Sequence, residues 1–115
     1  LVYIIFNFSI QLNKMEEINK RYNTLCNTPS DIYEHLPTLY RYAKESESFL
    51  ECGIRGCVSS WAISKGICEN NRKNKKLYFN DINEVDINTL EKCLSMVNVP
   101  YELLWCNDLD VNILS

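Results

Sequence analysis

Glycine, proline and histidine are scarce in this chain, whose 115 residues include three, three and one of them. His35 stands alone, and Cys26, Cys52, Cys57, Cys68, Cys93 and Cys106 contain no C-x-x-C pair. Structural zinc is usually held by two close ligand pairs, so no metal site is expected. An excess of positive charge is also missing. Twelve basic against fifteen acidic residues give a formal net charge of -3, which argues against a domain built to grip nucleic-acid phosphates. The apolar run Leu1-Val2-Tyr3-Ile4-Ile5-Phe6 is far short of the roughly 20 residues of a membrane span. It also lacks the charged start and small-residue cleavage site of a signal peptide, and no membrane partner is expected.

What is present suits one globular domain: 46% hydrophobic and 11% aromatic residues are enough for a core. Cys52, Cys93 and Cys106 lie within apolar segments. Most of the cysteines therefore read as reduced, buried small hydrophobes of a cytoplasmic protein, not as a disulfide scaffold. Met15 opens a polar, helix-compatible stretch, Met15-Glu16-Glu17-Ile18-Asn19-Lys20-Arg21-Tyr22. The expectation is that residues 1–14 precede the biological start, that residues 1–27 form an N-terminal extension, and that residues 28–115 carry the domain.

Thr28-Pro29-Ser30-Asp31 reads as a helix start, with a hydroxyl cap, a proline and an acid in the first turn. Pro37 interrupts it, which predicts a short turn over residues 31–36 and a helix over 37–45 with Leu36, Leu39, Tyr40 and Ala43 facing the sheet. Residues 48–52 are too short for a helix and predict a first strand. A helix over 58–66 follows, with Gly66 as its stop, and the polar, basic stretch 69–76 is the loop back. Leu77-Tyr78-Phe79 predicts the second strand. Asp86 caps a helix in which Ile87, Leu90, Leu94 and Val97 recur at spacings of three and four, and residues 101–106 predict the third strand. Strands alternating with helices call for an α/β fold with a parallel sheet, whose ligands gather at the carboxyl ends of the strands. Three strands make a small parallel sheet, so the reading is a partial Rossmann-like, doubly wound sheet with flanking helices, the N-terminal part of a larger domain.

Chemistry concentrates in one turn. Glu51-Cys52-Gly53-Ile54-Arg55-Gly56-Cys57 holds two of the three glycines between a strand and a helix. Such a turn lets backbone approach a ligand and aims the N–H groups of the next helix at it. Three acids fall at comparable places: Glu51, Asp81 and Asp108 each end a predicted strand. A carboxylate there can accept both hydroxyls of a ribose. Gly53 and Asp81 are 28 residues apart, beyond the roughly 20 of dinucleotide folds, with the excess in the polar loop.

These residues resemble the class I S-adenosylmethionine-dependent methyltransferases. In that superfamily the first strand ends in an acidic-x-Gly-x-Gly-x-Gly turn, the second in a ribose-binding acid, and the third in an Asp near the adenine. Glu51 and Gly53 match the first motif, Asp81 the second and Asp108 the third, and the likeness runs from about residue 28 to residue 115. The segment Asp31-Ile32-Tyr33-Glu34-His35-Leu36-Pro37 with Glu51-x-Gly53-x-Arg55-Gly56 resembles one branch of that superfamily. The resemblance implies S-adenosylmethionine as cofactor, bound through Glu51, Gly53, Arg55, Gly56, Asp81 and Asp108, and methyl transfer to an unidentified acceptor. Arg55 and Cys57 stand where the pattern has Gly. Gly56 then supplies the flexibility, and Arg55 is a group able to pair with a carboxylate. The second half of such a domain, which carries much of the acceptor site, lies outside the matched residues, so catalytic residues remain unknown.

Two other readings stand beside this one: a catalytically inactive Rossmann-like remnant or interaction module, and a dinucleotide-binding domain of the NAD type. Trp61 reads as core, His35 as a cap or surface group, and Arg72, Lys73, Lys75 and Lys76 as a solvated loop.

Overall fold

The computed structural model describes residues 2–54, 57–81, 87–97 and 99–107, with side chains from residue 13 onward except that of residue 87. The elements are α1 (Val2–Cys26), a 3-10 turn (Tyr33–His35), α2 (Leu36–Glu45), β1 (Ser48–Cys52), α3 (Val58–Glu69), β2 (Lys76–Asp81), α4 (Ile87–Leu94) and β3 (Tyr101–Trp105). The chain is α/β, with a three-stranded parallel sheet in the order β1-β2-β3 and helices flanking it. Asp86, expected to cap α4, lies outside the described residues, as does Asn98 after it. Among the described residues no helix is long and apolar enough to cross a membrane.

Pleat parity decides what each strand buries. The register sets Glu51 opposite Phe79, and Phe79 opposite Leu103. Phe49, Leu77, Phe79, Leu103 and Trp105 share one core with Ile63 and Ile67 of α3 and Leu90 and Leu94 of α4. The alternate positions face away from that core. There Cys52 and Glu102 are exposed, and Lys76 reaches Glu102 at 3.3 Å and lies 4.9 Å from the Tyr78 ring centre. Cys52 thus departs from the expectation of a buried thiol, whereas Cys57 and Cys93 are buried and no disulfide joins any of the six cysteines.

Several local readings change. Thr28 does not open a helix. Its hydroxyl donates to the Thr24 carbonyl at 2.7 Å and closes the end of α1. Pro37 occupies the first turn of α2, where its missing N–H costs nothing. Expected against the sheet, the apolar face of α2 packs chiefly on α3. Gly66 is not a helix stop but the contact point of that packing. A Cβ there would come within 2.8 Å of Lys44 N and 2.7 Å of Ala43 Cβ, and closer still to the Tyr40 carbonyl. Only glycine lets the two helices approach so closely.

The real stop of α3 is Asn70, whose amide donates to the Ala43 and Ser46 carbonyls while its Oδ1 accepts the Arg72 N–H at 2.9 Å. Lys75 is likewise more than a solvated loop residue. Its ammonium donates to the carbonyls of Ile67 (2.9 Å) and Asn70 (2.8 Å), a cation on carbonyls at the negative end of the helix dipole. Near the same end of α3, Lys65 ties three helices together. It donates to Asn19 (2.6 Å) and Glu69 (3.2 Å) and lies 4.7 Å and 5.5 Å from the ring centres of Tyr40 and Tyr22. Trp61 is core, with the Arg21 guanidinium 5.7 Å from its ring centre.

Candidate functional site

The site forms where β1 gives way to α3. Parallel pairing of β1 with β2 continues one residue past the strand, since Gly53 N–H donates to the Asn80 carbonyl at 2.7 Å. Gly53 then takes φ +84°, in the left-handed region that L side chains avoid, and the chain leaves the sheet. The next N–H, that of Ile54, donates to Asp81 Oδ2 at 3.0 Å, so the acid at the end of β2 holds the turn. Cys57 N–H closes back onto the Ile54 carbonyl at 3.0 Å. Cys57 itself has φ +64° and ψ +24°, the left-handed geometry of a glycine, with its side chain buried. A β-carbon in that conformation costs on the order of 1 kcal/mol.

Glu51 does not lie on the open edge of the site. It points inward beneath the turn, 7% exposed, on the same face as the apolar Phe49. Its carboxylate accepts from the first turn of α3: Ser60 Oγ donates to Oε2 at 2.9 Å, and Ser59 Oγ donates to Oε1. Burial pushes its pKa up to about 7; the two hydroxyls pull it down, and the nearby Asp81 charge raises it. Ser59 and Ser60 were not anticipated as partners. The signal was available, because a strand-turn-helix unit returns the first helical turn to the strand's end.

Asn80 was missed too. Buried between β2 and β3, its amide donates to the Leu104 carbonyl (2.8 Å) and the Cys106 carbonyl (2.9 Å). It fixes the spacing of the two strand ends next to Asp81. The structure therefore brings Glu51, Gly53 and Asp81 together around one turn, with Asn80 bracing it. Arg55, Gly56 and Asp108 lie outside the described residues.

Two adjoining cavities open beside the turn. One, of about 340 Å³, is lined by Asp31, Ile32, Cys52, Gly53, Ile54, Val58 and Ser59. The other, of about 350 Å³, runs along β1, with Leu39, Phe49, Glu51 and Ile63 in its walls, and shares Ile32, Cys52, Gly53 and Ser59 with the first. Both are within the range of small-molecule sites. No strand among the described residues pairs with the outer edge of β1, so the cavities lie at an open side of the sheet. Among the described residues no group of three or more His, Cys, Asp or Glu is placed to hold a metal ion.

Comparison of the chain with protein-family models, with curated proteins and with solved structures finds no match.

Proposed function

We propose that the turn at the end of β1 is an S-adenosylmethionine site in the N-terminal part of a Rossmann-like, doubly wound methyltransferase domain of the cytoplasm. The observation that carries this reading is the backbone of the turn. Gly53 and Cys57, at the first and third glycine positions of the pattern, are both left-handed, although one is not glycine. Asp81 grips the turn from the adjacent strand end, beside a cavity of ligand size.

The charges favour this ligand over a dinucleotide. Asp31 lines the cavity, Glu51 and Asp81 flank the turn, and no basic side chain is among the described lining residues. A pyrophosphate would meet carboxylates there, whereas a sulfonium cation is attracted by them. When bound, the cofactor supplies a methyl group open to in-line attack by an acceptor, a reaction that depends chiefly on positioning. In this chain Asp81 would accept ribose hydroxyls while holding Ile54, and Gly53 would let the ligand approach the backbone.

The test is calorimetric titration of the full chain with S-adenosylhomocysteine. Saturable binding that weakens at least tenfold in Asp81→Ala supports the reading, the size expected for losing charge-assisted ribose hydrogen bonds of about 1.5 to 3 kcal/mol each. Absence of binding, or undiminished binding by the variant, defeats it. The alternative of an inactive module draws support from the sheet face that carries exposed Cys52 and Glu102, a surface parallel sheets ordinarily cover. A chain that melts cooperatively as a monomer and ignores S-adenosylhomocysteine would favour it.

A further inference from the structure

We infer that Ser59 and Glu51 act as nucleophile and base in the cleavage of small uncharged carboxylic esters, Ser59 Oγ taking the acyl group. This activity is separate from cofactor binding and uses no cofactor. Serine is a weak nucleophile until an adjacent base takes its proton, so the two groups must meet within hydrogen-bond reach. Here the Ser59 hydroxyl donates to Glu51 Oε1, while Ser60 Oγ donates to Oε2 at 2.9 Å and fixes the carboxylate in that orientation. Ser60 is wholly buried, whereas Ser59 keeps 8% of its surface and lines both cavities beside the turn, of about 340 and 350 Å³. Of the two serines, Ser59 is the one a substrate reaches.

A general base works best with a pKa close to the working pH. Burial brings Glu51 to about 7 against the pull of the two serine hydroxyls, and Asp81 of β2 adds to the rise. The Cys93 thiol of α4, near enough to feel the Glu51 charge, is itself pushed up to about 12 and stays neutral. Ser59 is the second residue of α3, so an oxyanion formed on its acyl group lies beside the first N–H donors and the positive end of the helix dipole. The walls set the substrate class. Ile32, Ile54 and Val58 line one cavity and Leu39, Phe49 and Ile63 the other, which suits a short apolar acyl chain. The Glu51 and Asp81 carboxylates repel an anionic phosphate ester but not an uncharged carboxylic ester.

In the reaction Ser59 Oγ attacks the ester carbonyl carbon while its proton passes to Glu51 Oε1. The tetrahedral intermediate breaks its bond to the alkoxy oxygen, Glu51 gives the proton to the departing alcohol, and the acyl group stays on Ser59. Water then attacks the acyl-serine and passes a proton to Glu51. The carboxylic acid leaves as Ser59 Oγ recovers that proton.

The experiment treats the full chain, with no S-adenosylmethionine present, with a fluorophosphonate, which loses fluoride to an activated serine, and maps the adduct by mass spectrometry. In parallel, hydrolysis of p-nitrophenyl butyrate is followed for wild type, Ser59→Ala and Glu51→Gln. A single adduct on Ser59 is expected, with turnover about 100-fold lower in each variant. The wild-type rate should rise with pH through about 7, and Glu51→Gln should lose that rise. No adduct, an adduct on another residue, or a labelled Ser59 without ester turnover overturns the assignment. So does either variant that retains the wild-type rate. The adduct is read on the wild-type chain, so a variant that fails to melt cooperatively leaves the test intact.

Discussion

Ser60 Oγ lies 2.9 Å from Glu51 Oε2, and this bond joins the last turn-side carboxylate of β1 to the first turn of α3 inside the core. Glu51 is flanked by Ser59 and Ser60 from α3, Asp81 from β2 and the Cys93 thiol from α4, with no basic group among these described partners. The hydroxyl donors of Ser59 and Ser60 favour its ionised form, against burial.

A pH dependence follows from that environment. The folded-state value of about 7 stands above the ordinary 4.5, so the native chain keeps a proton that the unfolded chain releases. The stabilisation is fully present below about pH 4.5 and is lost as pH rises through 7. Urea unfolding of wild type and Glu51→Gln should show the variant gaining on wild type as pH rises from 4.5 to 7, by on the order of 3 kcal/mol in all, and keeping that gain above pH 7. A wild type that grows more stable than the variant across this window would contradict the assignment.

The serine hydroxyls act in the opposite sense to burial. In Ser60→Ala the carboxylate loses a donor, and its titration midpoint, followed by carbon NMR of the Glu51 carboxyl, is expected to move further up. The cost should be about 1 to 3 kcal/mol at pH 8, where Glu51 is charged, and smaller at pH 5, where it is not.

Asp81 has two separable effects. Asp81→Asn keeps an oxygen for the Ile54 N–H, whereas Asp81→Ala removes it and leaves the turn untied. Both remove a negative charge that raises the Glu51 pKa, so both should lower the Glu51 midpoint. Amide exchange at Ile54 should accelerate only in the Ala variant.

The two described glycines should respond differently to alanine. At Gly53 nothing lies within 4 Å of an added Cβ, so Gly53→Ala meets only the cost of its φ of +84°, about 1 kcal/mol. At Gly66 the new methyl would meet Ala43 and the backbone of α2, and Gly66→Ala should cost about 2 kcal/mol. That outcome reverses the usual gain of about 1 kcal/mol for Gly→Ala within a helix. Thermal melts of the two variants check both.

Lys75→Met should lose about 1 kcal/mol by uncapping α3, and Lys73→Met, at an exposed position of the same loop, within about 0.5 kcal/mol of nothing. Denaturant midpoints distinguish the two.

Much of the architecture could be read from residue pattern alone. Ser48–Cys52 was legible in full, and the alternation of short β-prone runs with amphipathic segments led to a parallel sheet. Gly66 was misread because a glycine near a helix's expected end looks the same in sequence whether it ends the helix or admits a neighbour. Only the approach of α2 distinguishes them. Lys75 looked solvated because its partners are backbone carbonyls, which carry no sequence signature.

At the site, sequence by itself determined the glycine at the end of β1 and the acid at the end of β2, since a sharp exit from a strand requires a residue tolerant of positive φ. Tertiary structure decided the direction of Glu51. Residues two apart on a strand share a face, and once α3 covers the face that holds Phe49, Glu51 must be buried and find its partners in Ser59 and Ser60. It also decided that Asp31 joins Gly53 at one cavity, because that meeting depends on α2 packing on α3, a long-range contact that no local pattern encodes.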